Sequence, residues 1–301
     1  MPSTDFHPDL RRVARIAPRT LVGPRTLRVI RVLSPLMAGR TPADVEVLTL
    51  SSGAGVRLHR PSGVGGPTPA LLWMHGGGYV LGTAQQDDGL CRRFSRTLGI
   101  VVASVDYRLA PEHPYPAALE DCYSALTWLT RLPGVDPARV AIGGASAGGG
   151  LAAALALLAR DRGEVKPALQ LLAYPMLDDR SADAPDNPNY RLWTPRSNQF
   201  GWTAYLAGAD RDIAVPARRD DLSGLPPAWI GVGTNDLFYD EDVAYAERLT
   251  RAGVPCQVEV VQGAFHGFDL LVPKKPVSQA FFASQCASLR AALRPEDHPA
   301  R

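Results

Sequence analysis

Residues 143–150 read Gly-Gly-Ala-Ser-Ala-Gly-Gly-Gly, directly after the apolar run Arg139-Val140-Ala141-Ile142. A single serine, Ser146, stands among small residues where a strand ends. A flexible turn, a phosphate cradle and the mounting of a nucleophile all use glycine here. A phosphate cradle needs GxxxxGK[ST], and no lysine follows these glycines. A dinucleotide turn would take Gly148 to Ala153 as GxGxxA. Those glycines fall inside the helix, however, and the next strand ends in Ala173-Tyr174-Pro175 with no acid to hold a ribose. The third reading takes Gly144-Ala145-Ser146-Ala147-Gly148 as GxSxG. With 28 Gly and 15 Ser in 301 residues, chance alone gives roughly 0.13 such matches. Position therefore carries the weight. Behind a buried strand and ahead of a long helix, small residues allow a tight turn that holds the serine in strained geometry with Oγ exposed. The helix that follows places its N-terminal dipole under that oxygen.

The elements on either side repeat this strand–helix rhythm. VEVLTL (45–50) and GVRLHR (55–60) form a two-stranded start around the turn SSGAG. ALLWMH (70–75) is nearly all apolar, as a strand buried on both faces should be. A helix around 86–98 precedes IVVASVDY (100–107), and a helix at 116–132 precedes VAIGG (140–144). After the helical run 147–161 come ALQLLAYP (168–175), PAWIGVG (227–233), a helix near 240–252, CQVEVVQG (256–263) and a last helix near 277–293. Alternation of this kind predicts a mostly parallel central sheet with helices on both faces and an antiparallel opening.

Residues 180–222 break the rhythm. They hold Trp193, Phe200, Trp202 and Tyr205 close together without strand alternation. Such a stretch is too long for an ordinary connection, so it reads as a lid, completed by residues 1–40. The alternative is a poorly packed surface insertion. The chain is accordingly expected to form one domain, 1–301. Its core spans about 45–179 and 223–293, beneath cap elements at about 1–40 and 180–222.

Composition excludes several classes. A formal net charge of +2 gives no global pull toward nucleic acid. Eight arginines crowd residues 1–40, but the residues after Arg11-Arg12 offer no apolar stretch for an export signal, so basic amphipathic helices lying on the domain are expected. LAAALALLA (151–159) is half the length of a membrane span, so no stable membrane insertion is expected. Cys91, Cys122, Cys256 and Cys286 lack any CxxC spacing, which predicts reduced thiols, no metal site and a cytoplasmic protein.

An exposed serine is a poor nucleophile without a base and an oxyanion site. His75-Gly76-Gly77-Gly78-Tyr79 follows the strand ALLWM, and its glycines let backbone N–H groups of Gly76, Gly77 and Gly78 turn toward a developing oxyanion. Ala147 adds a further N–H. The acid should end a later strand, as Asp236 does in PAWIGVGTND; Asp240, Glu241 and Asp242 read as first-turn acids of the next helix. The base should follow the acid. His266, in Gly263-Ala264-Phe265-His266-Gly267-Phe268, completes the order Ser…Asp…His after the final strand.

HGGGY at 75–79, DYRLAPEHPYPAALED at 106–121, GASAGG at 144–149, DLFYDED at 236–242 and HGF at 266–268 together resemble the bacterial hormone-sensitive-lipase-like esterases of the α/β-hydrolase fold. The resemblance covers about residues 45–293 and rests on five motifs in one order. It implies carboxylic ester hydrolysis by Ser146, His266 and Asp236, oxyanion donors from Gly77, Gly78 and Ala147, and a helical cap; the chemistry of these groups needs no cofactor, and the aromatic cluster with the arginine-rich N-terminus suggests a preference for short-to-medium acyl chains. Tyr79, Trp193, Phe200, Trp202 and Tyr205 are the candidate pocket. A small-molecule ester is the expected partner, and a homodimer is compatible with it. Amide, formamide or carbamate hydrolysis by the same groups stays open, since the cap selects the leaving group. A ligand receptor on a hydrolase fold would need only the pocket. One departure stands out: where the family usually has Asp or Thr, this chain has Ala145, removing a hydrogen bond that would hold the loops of Arg108 and Glu112.

Overall fold

The computed structural model describes residues 6–20, 22–24, 26–37, 41–63 and 66–295. The rest of the 1–40 segment and His298 lie outside the described residues. Strands β1 (Val45–Thr49), β2 (Gly55–His59), β3 (Thr68–Met74), β4 (Val101–Asp106), β5 (Val135–Ala145), β6 (Gln170–Ala173), β7 (Ala228–Gly233) and β8 (Cys256–Val261) form one eight-stranded sheet in the order β1-β2-β4-β3-β5-β6-β7-β8. β1 pairs β2 and β2 pairs β4 antiparallel, whereas every pair from β4 to β8 is parallel. The fold is thus the α/β-hydrolase fold, with the antiparallel opening that the turn SSGAG announced.

The helices are α1 (Arg11–Ile16), α2 (Leu27–Met37), α3 (Asp88–Leu98), α4 (Ala117–Thr130), α5 (Ala147–Arg162), α6 (Pro195–Leu206), α7 (Arg211–Ala214), α8 (Tyr239–Arg251), α9 (Phe268–Leu271) and α10 (Pro276–Ala292). No helix among the described residues is long and apolar enough to cross a membrane. Two apolar layers cover the two sheet faces. Ile142, Leu155, Leu172 and Ile230 belong to one, and Trp73, Leu171, Trp229 and Phe281 to the other. This alternation follows from strand geometry: successive side chains of β6 and β7 point to opposite faces, and both faces are covered.

Residues 180–222 hold α6 and α7 and pack against the N-terminal segment. The Leu192 N–H donates to the Pro18 carbonyl at 2.8 Å, Ser197 Oγ to the Val22 carbonyl at 2.9 Å, and Arg191 Nε to the Ala14 carbonyl at 2.6 Å. Arg19 pairs with Asp186 at 2.7 Å. These links join segments more than 160 positions apart in the chain.

One buried acid departs from ordinary core chemistry. Asp242 is fully buried in the first turn of α8, and neither carboxylate oxygen has a partner among the described residues. Burial, then the neighbouring Glu241 and Asp236, push its carboxyl well above the usual range. Between that range and the raised value the unfolded chain is ionised while the folded protein keeps its proton. Stability therefore falls as pH rises through this interval. Asp242→Ala should raise Tm, and by more at about pH 8 than at about pH 5. An equal Tm change at both pH values would show that Asp242 is not the titrating group.

Candidate active site

Ser146 sits between β5 and α5 with φ 57° and ψ −122°, a strained conformation for a residue with a side chain. Its backbone is held on three sides. The Ser146 N–H donates to the Ala173 carbonyl at 2.9 Å, and the Ser146 carbonyl accepts from Gly150 and Met176, each at 3.0 Å. The glycines explain how the turn closes. A Cβ on Gly148 would lie 2.1 Å from the Met74 carbonyl oxygen, and one on Gly144 would lie 2.4 Å from the Gly148 carbonyl. No other residue fits either position without moving backbone.

The structure brings the three dispersed candidates together. His266 Nε2 lies 2.9 Å from Ser146 Oγ, and His266 Nδ1 lies 2.8 Å from Asp236 Oδ2. Nδ1–H donates to the carboxylate, which leaves Nε2 as acceptor for the Ser146 hydroxyl. The other oxygen of Asp236 accepts the Phe238 N–H at 3.0 Å. Asp236 is 3% exposed and His266 and Ser146 6% each, so the hydrogen-bonded line runs in a nearly closed space. Asp240 is exposed on α8. Glu241 is occupied elsewhere, accepting from the Leu177 and Asp178 N–H groups and from Ser181 Oγ. The choice of Asp236 among four nearby acids is thereby geometric.

Gly77 (φ 135°) and Gly78 (φ 61°) both lie at positive φ, where glycine carries no Cβ penalty. Their N–H groups have no acceptor among the described residues, and the same holds for Ala147 at the first position of α5. Gly76 packs on the elbow itself, where a Cβ would meet the Ala145 carbonyl oxygen at 3.1 Å and Ser146 Cβ at 3.3 Å. His75 shapes this loop from below. Its Nδ1 lies 2.9 Å from the Gly76 carbonyl, its ring stacks on Tyr107 at 4.2 Å, and Tyr107 Oη donates to the His75 carbonyl at 2.7 Å. Burial lowers the His75 pKa, so the ring is neutral at neutral pH and serves as scaffold.

The five aromatic pocket candidates divide. The Trp193 ring lies against Gly78, where an added Cβ would come within 2.0 Å of it, and its centroid is 6.4 Å from that of His266. Tyr79 stacks on Tyr205 at 4.0 Å, meets Trp202 at 5.2 Å and donates from Oη to the Met176 carbonyl. Trp202 and Tyr205 are buried in that cluster, and Phe200 is half-buried against the same apolar layer. Of the four aromatics in 180–222, only Trp193 has a ring contact with His266 among the described residues.

Two ring contacts of the base escaped sequence reasoning. Tyr174 meets the His266 ring edge-on at 5.0 Å and Phe238 meets it at 5.1 Å. Tyr174 Oη donates to Asp269 Oδ1 at 2.7 Å, and burial raises the Asp269 carboxyl above its usual range. Further back, Asp87 accepts the Trp73 indole N–H at 2.8 Å and is pushed up to about 7 by burial. Sequence offers a weak signal for Tyr174 alone, as the last residue but one of ALQLLAYP.

Ala145 leaves neither loop group without a partner. Arg108 and Glu112 are both partnered without it: Arg108 holds Asp121 at 2.8 Å and Glu112 holds Arg31 at 2.7 Å. The Ala145 side chain instead belongs to the apolar layer of Trp73, Leu171 and Phe265. Ala145→Asp would put an unpaired carboxylate there, and should lower stability by about 2–3 kcal/mol. A Tm at or above that of the parent protein would contradict this.

Residues 71–270 match the family described as alpha/beta hydrolase fold. The carboxylic ester hydrolase LipN of Mycobacterium tuberculosis is 40% identical over 257 residues, covering 79% of this chain and 68% of that protein. The chain belongs to the alpha/beta hydrolase family. Carboxylesterase NlhH of the same organism is 37% identical over 72% of this chain and 73% of its own length. Among solved structures, a bacterial heroin esterase superposes with a TM-score of 0.87 at 35% identity, covering 96% of this chain and 98% of that one. Esterase LipW from Mycobacterium marinum superposes equally well, at 36% identity over 98% and 99% of the two chains. Within the family the enzyme class is that of a serine carboxylesterase, and a small-molecule ester is the class of substrate.

Proposed function

We propose that Ser146, His266 and Asp236 hydrolyse short-to-medium acyl esters through an acyl-enzyme, beneath a cap built from about residues 1–40 and 180–222. The observation that carries this reading is the continuous line Asp236–His266–Ser146, with hydrogen bonds of 2.8 and 2.9 Å. His266 Nε2 accepts the Ser146 hydroxyl proton as Oγ attacks the ester carbonyl carbon. The carbonyl oxygen takes the negative charge and meets the N–H groups of Gly77, Gly78 and Ala147, with Gly76 setting the loop's distance from the elbow. His266 then gives its proton to the leaving alcohol as the carbonyl reforms. Water repeats the cycle: His266 takes its proton, its oxygen attacks the acyl carbon, and Ser146 leaves with the proton returned. Asp236 keeps the ring in one tautomer and stabilises the imidazolium.

Trp193 supports the limit on acyl length, because its ring closes the space beside Gly78 and His266. Aryl fluorophosphonate should label Ser146 covalently in the parent protein and not in Ser146→Ala; absence of labelling would favour a receptor. With a panel of C2 to C16 esters, kcat/KM should peak at or below about C8, each added methylene helping by at most ~0.8 kcal/mol before that. Trp193→Ala should move the peak to longer chains. Rates still rising at C16 in the parent protein would refute a closed cap. We place the enzyme in the cytoplasm, on its four unpaired cysteines. We infer a homodimer that adds across the free edge of β8, an assembly that sedimentation velocity reads directly.

A further inference from the structure

Beside the loop of the catalytic histidine lies a surface that ester hydrolysis does not use. α1 buries Ala14 and exposes Arg11, Arg12 and Arg15, with Ile16 82% exposed. α9 begins two residues after His266 and leaves Leu270 and Leu271 exposed by 49% and 42%. Lys274 and Lys275 follow, both exposed. The two segments adjoin. The Val277 N–H donates to Asp9 Oδ2 at 3.1 Å, the His7 N–H donates to the Gly263 carbonyl at 3.0 Å, and the Phe6 ring meets Phe265 edge-on at 6.1 Å. Leu10 and Ala14 are buried in the same cluster as Phe268 and Val277.

Three exposed aliphatic side chains thus share one surface with five cationic ones. The acids nearest in sequence are already engaged: Asp9 accepts the Val277 N–H at the seam between the two segments, and Asp269 accepts the Tyr174 hydroxyl. None of the five cations has a carboxylate partner among the described residues; Arg11, for example, donates to the Phe6 carbonyl. We propose that this surface docks the enzyme on an anionic lipid membrane. Short aliphatic side chains enter the headgroup boundary while arginine and lysine stay with the phosphates. A second copy of the chain is a poor occupant, because a two-fold contact would set the same five cations against each other. An anionic surface removes that repulsion and covers the apolar atoms. Docked this way, α9, which starts two residues after His266, lies against the lipid.

The test uses the full chain carrying Ser146→Ala, so that lipid esters stay intact, in cosedimentation with vesicles of phosphatidylcholine alone or with added phosphatidylglycerol. Partition into the anionic vesicles should be at least about ten-fold higher and should fall in high salt. Each basic side chain near an anionic surface is worth about five-fold in partition, so Arg12→Glu/Arg15→Glu/Lys274→Glu/Lys275→Glu should lower binding by at least about 100-fold. Leu270→Ser/Leu271→Ser/Ile16→Ser should weaken it as well. Both multiple variants, with Ser146 restored, should hydrolyse a dissolved short ester within two-fold of the parent rate, which shows that they fold. Should either misfold, Arg12→Gln and Lys275→Gln singly should each cost about five-fold in partition. Equal binding to both vesicles, binding to neither, or binding unchanged by the substitutions would overturn the proposal. So would a dimer that dissociates in Leu270→Ser/Leu271→Ser, which would assign the surface to a second copy.

Discussion

Ser146→Ala and His266→Ala should each lower kcat by about four orders of magnitude or more, with KM for a short ester little changed. The size of the effect follows from the coupling of the two groups. Ser146 Oγ is 2.9 Å from His266 Nε2, so removing either leaves the other without a function. What remains is transition-state binding by the oxyanion donors, worth about three orders of magnitude over water. Asp236→Asn should cost somewhat less, because the amide still fills the space yet favours the wrong tautomer of His266. Asp240→Asn should leave kcat near the parent value, since Asp240 is exposed on α8 and His266 Nδ1 is held by Asp236. Pre-steady-state and steady-state rates on one chromogenic ester check all four. Greater damage from Asp240→Asn than from Asp236→Asn would reassign the acid.

The second large effect concerns the fold of the elbow. Gly148→Ala should destabilise the protein by at least about 4 kcal/mol or prevent folding, a magnitude reserved for core overpacking and backbone strain. Its Cβ would stand 2.1 Å from the Met74 carbonyl oxygen and 2.5 Å from that of His75, both backbone atoms of β3 and the oxyanion loop. Neither can retreat without breaking the β3–β5 pairing that ends at Met74 and Gly144. Gly89→Ala is the control. Gly89 lies in α3, an added Cβ meets nothing within 4 Å, and alanine should there stabilise by about 0.5–1 kcal/mol through the unfolded chain. Urea melts of both variants give the comparison. A Gly148→Ala protein as stable as Gly89→Ala would mean that α5 does not press on β3.

Much of the frame was legible in the chain because it depends on local pattern. Apolar runs such as ALLWM and VAIGG can be satisfied only with both faces covered, which commits them to central strands. The GxSxG and HGGG stretches also announce themselves, since their glycines answer demands for small size and unusual φ that neighbours within a few residues impose. The order Ser…Asp…His singled out His266 among six histidines as the candidate base.

Other features had no local signature. That three aromatics of 180–222 separate, Trp193 going to His266 and Trp202 and Tyr205 to the Tyr79 cluster, is decided by how α6 seats on the glycine loop. A Cβ on Gly201 of α6 would lie 2.8 Å from the Gly78 carbonyl, so the seating is close, but no spacing along the chain encodes it. Tyr174 and Phe238 became walls of the base only because β6 and β7 are adjacent, with Ala173 paired to Gly231. The fate of Ala145 shows the same division. The motif identifies an absent hydrogen-bonding side chain, yet only packing reveals that Arg108 and Glu112 hold Asp121 and Arg31 instead. By itself the sequence determined the sheet's mostly parallel character and singled out the elbow serine, the glycine loop and the three side chains that the fold joins by hydrogen bonds, because each rests on a periodicity, a chain order or a backbone requirement within a short window. The tertiary structure alone decided which aromatic ring lies beside His266, that Asp242 stays unpaired in the core, and which surface adjoins the His266 loop, because those depend on packing between segments that no local pattern links.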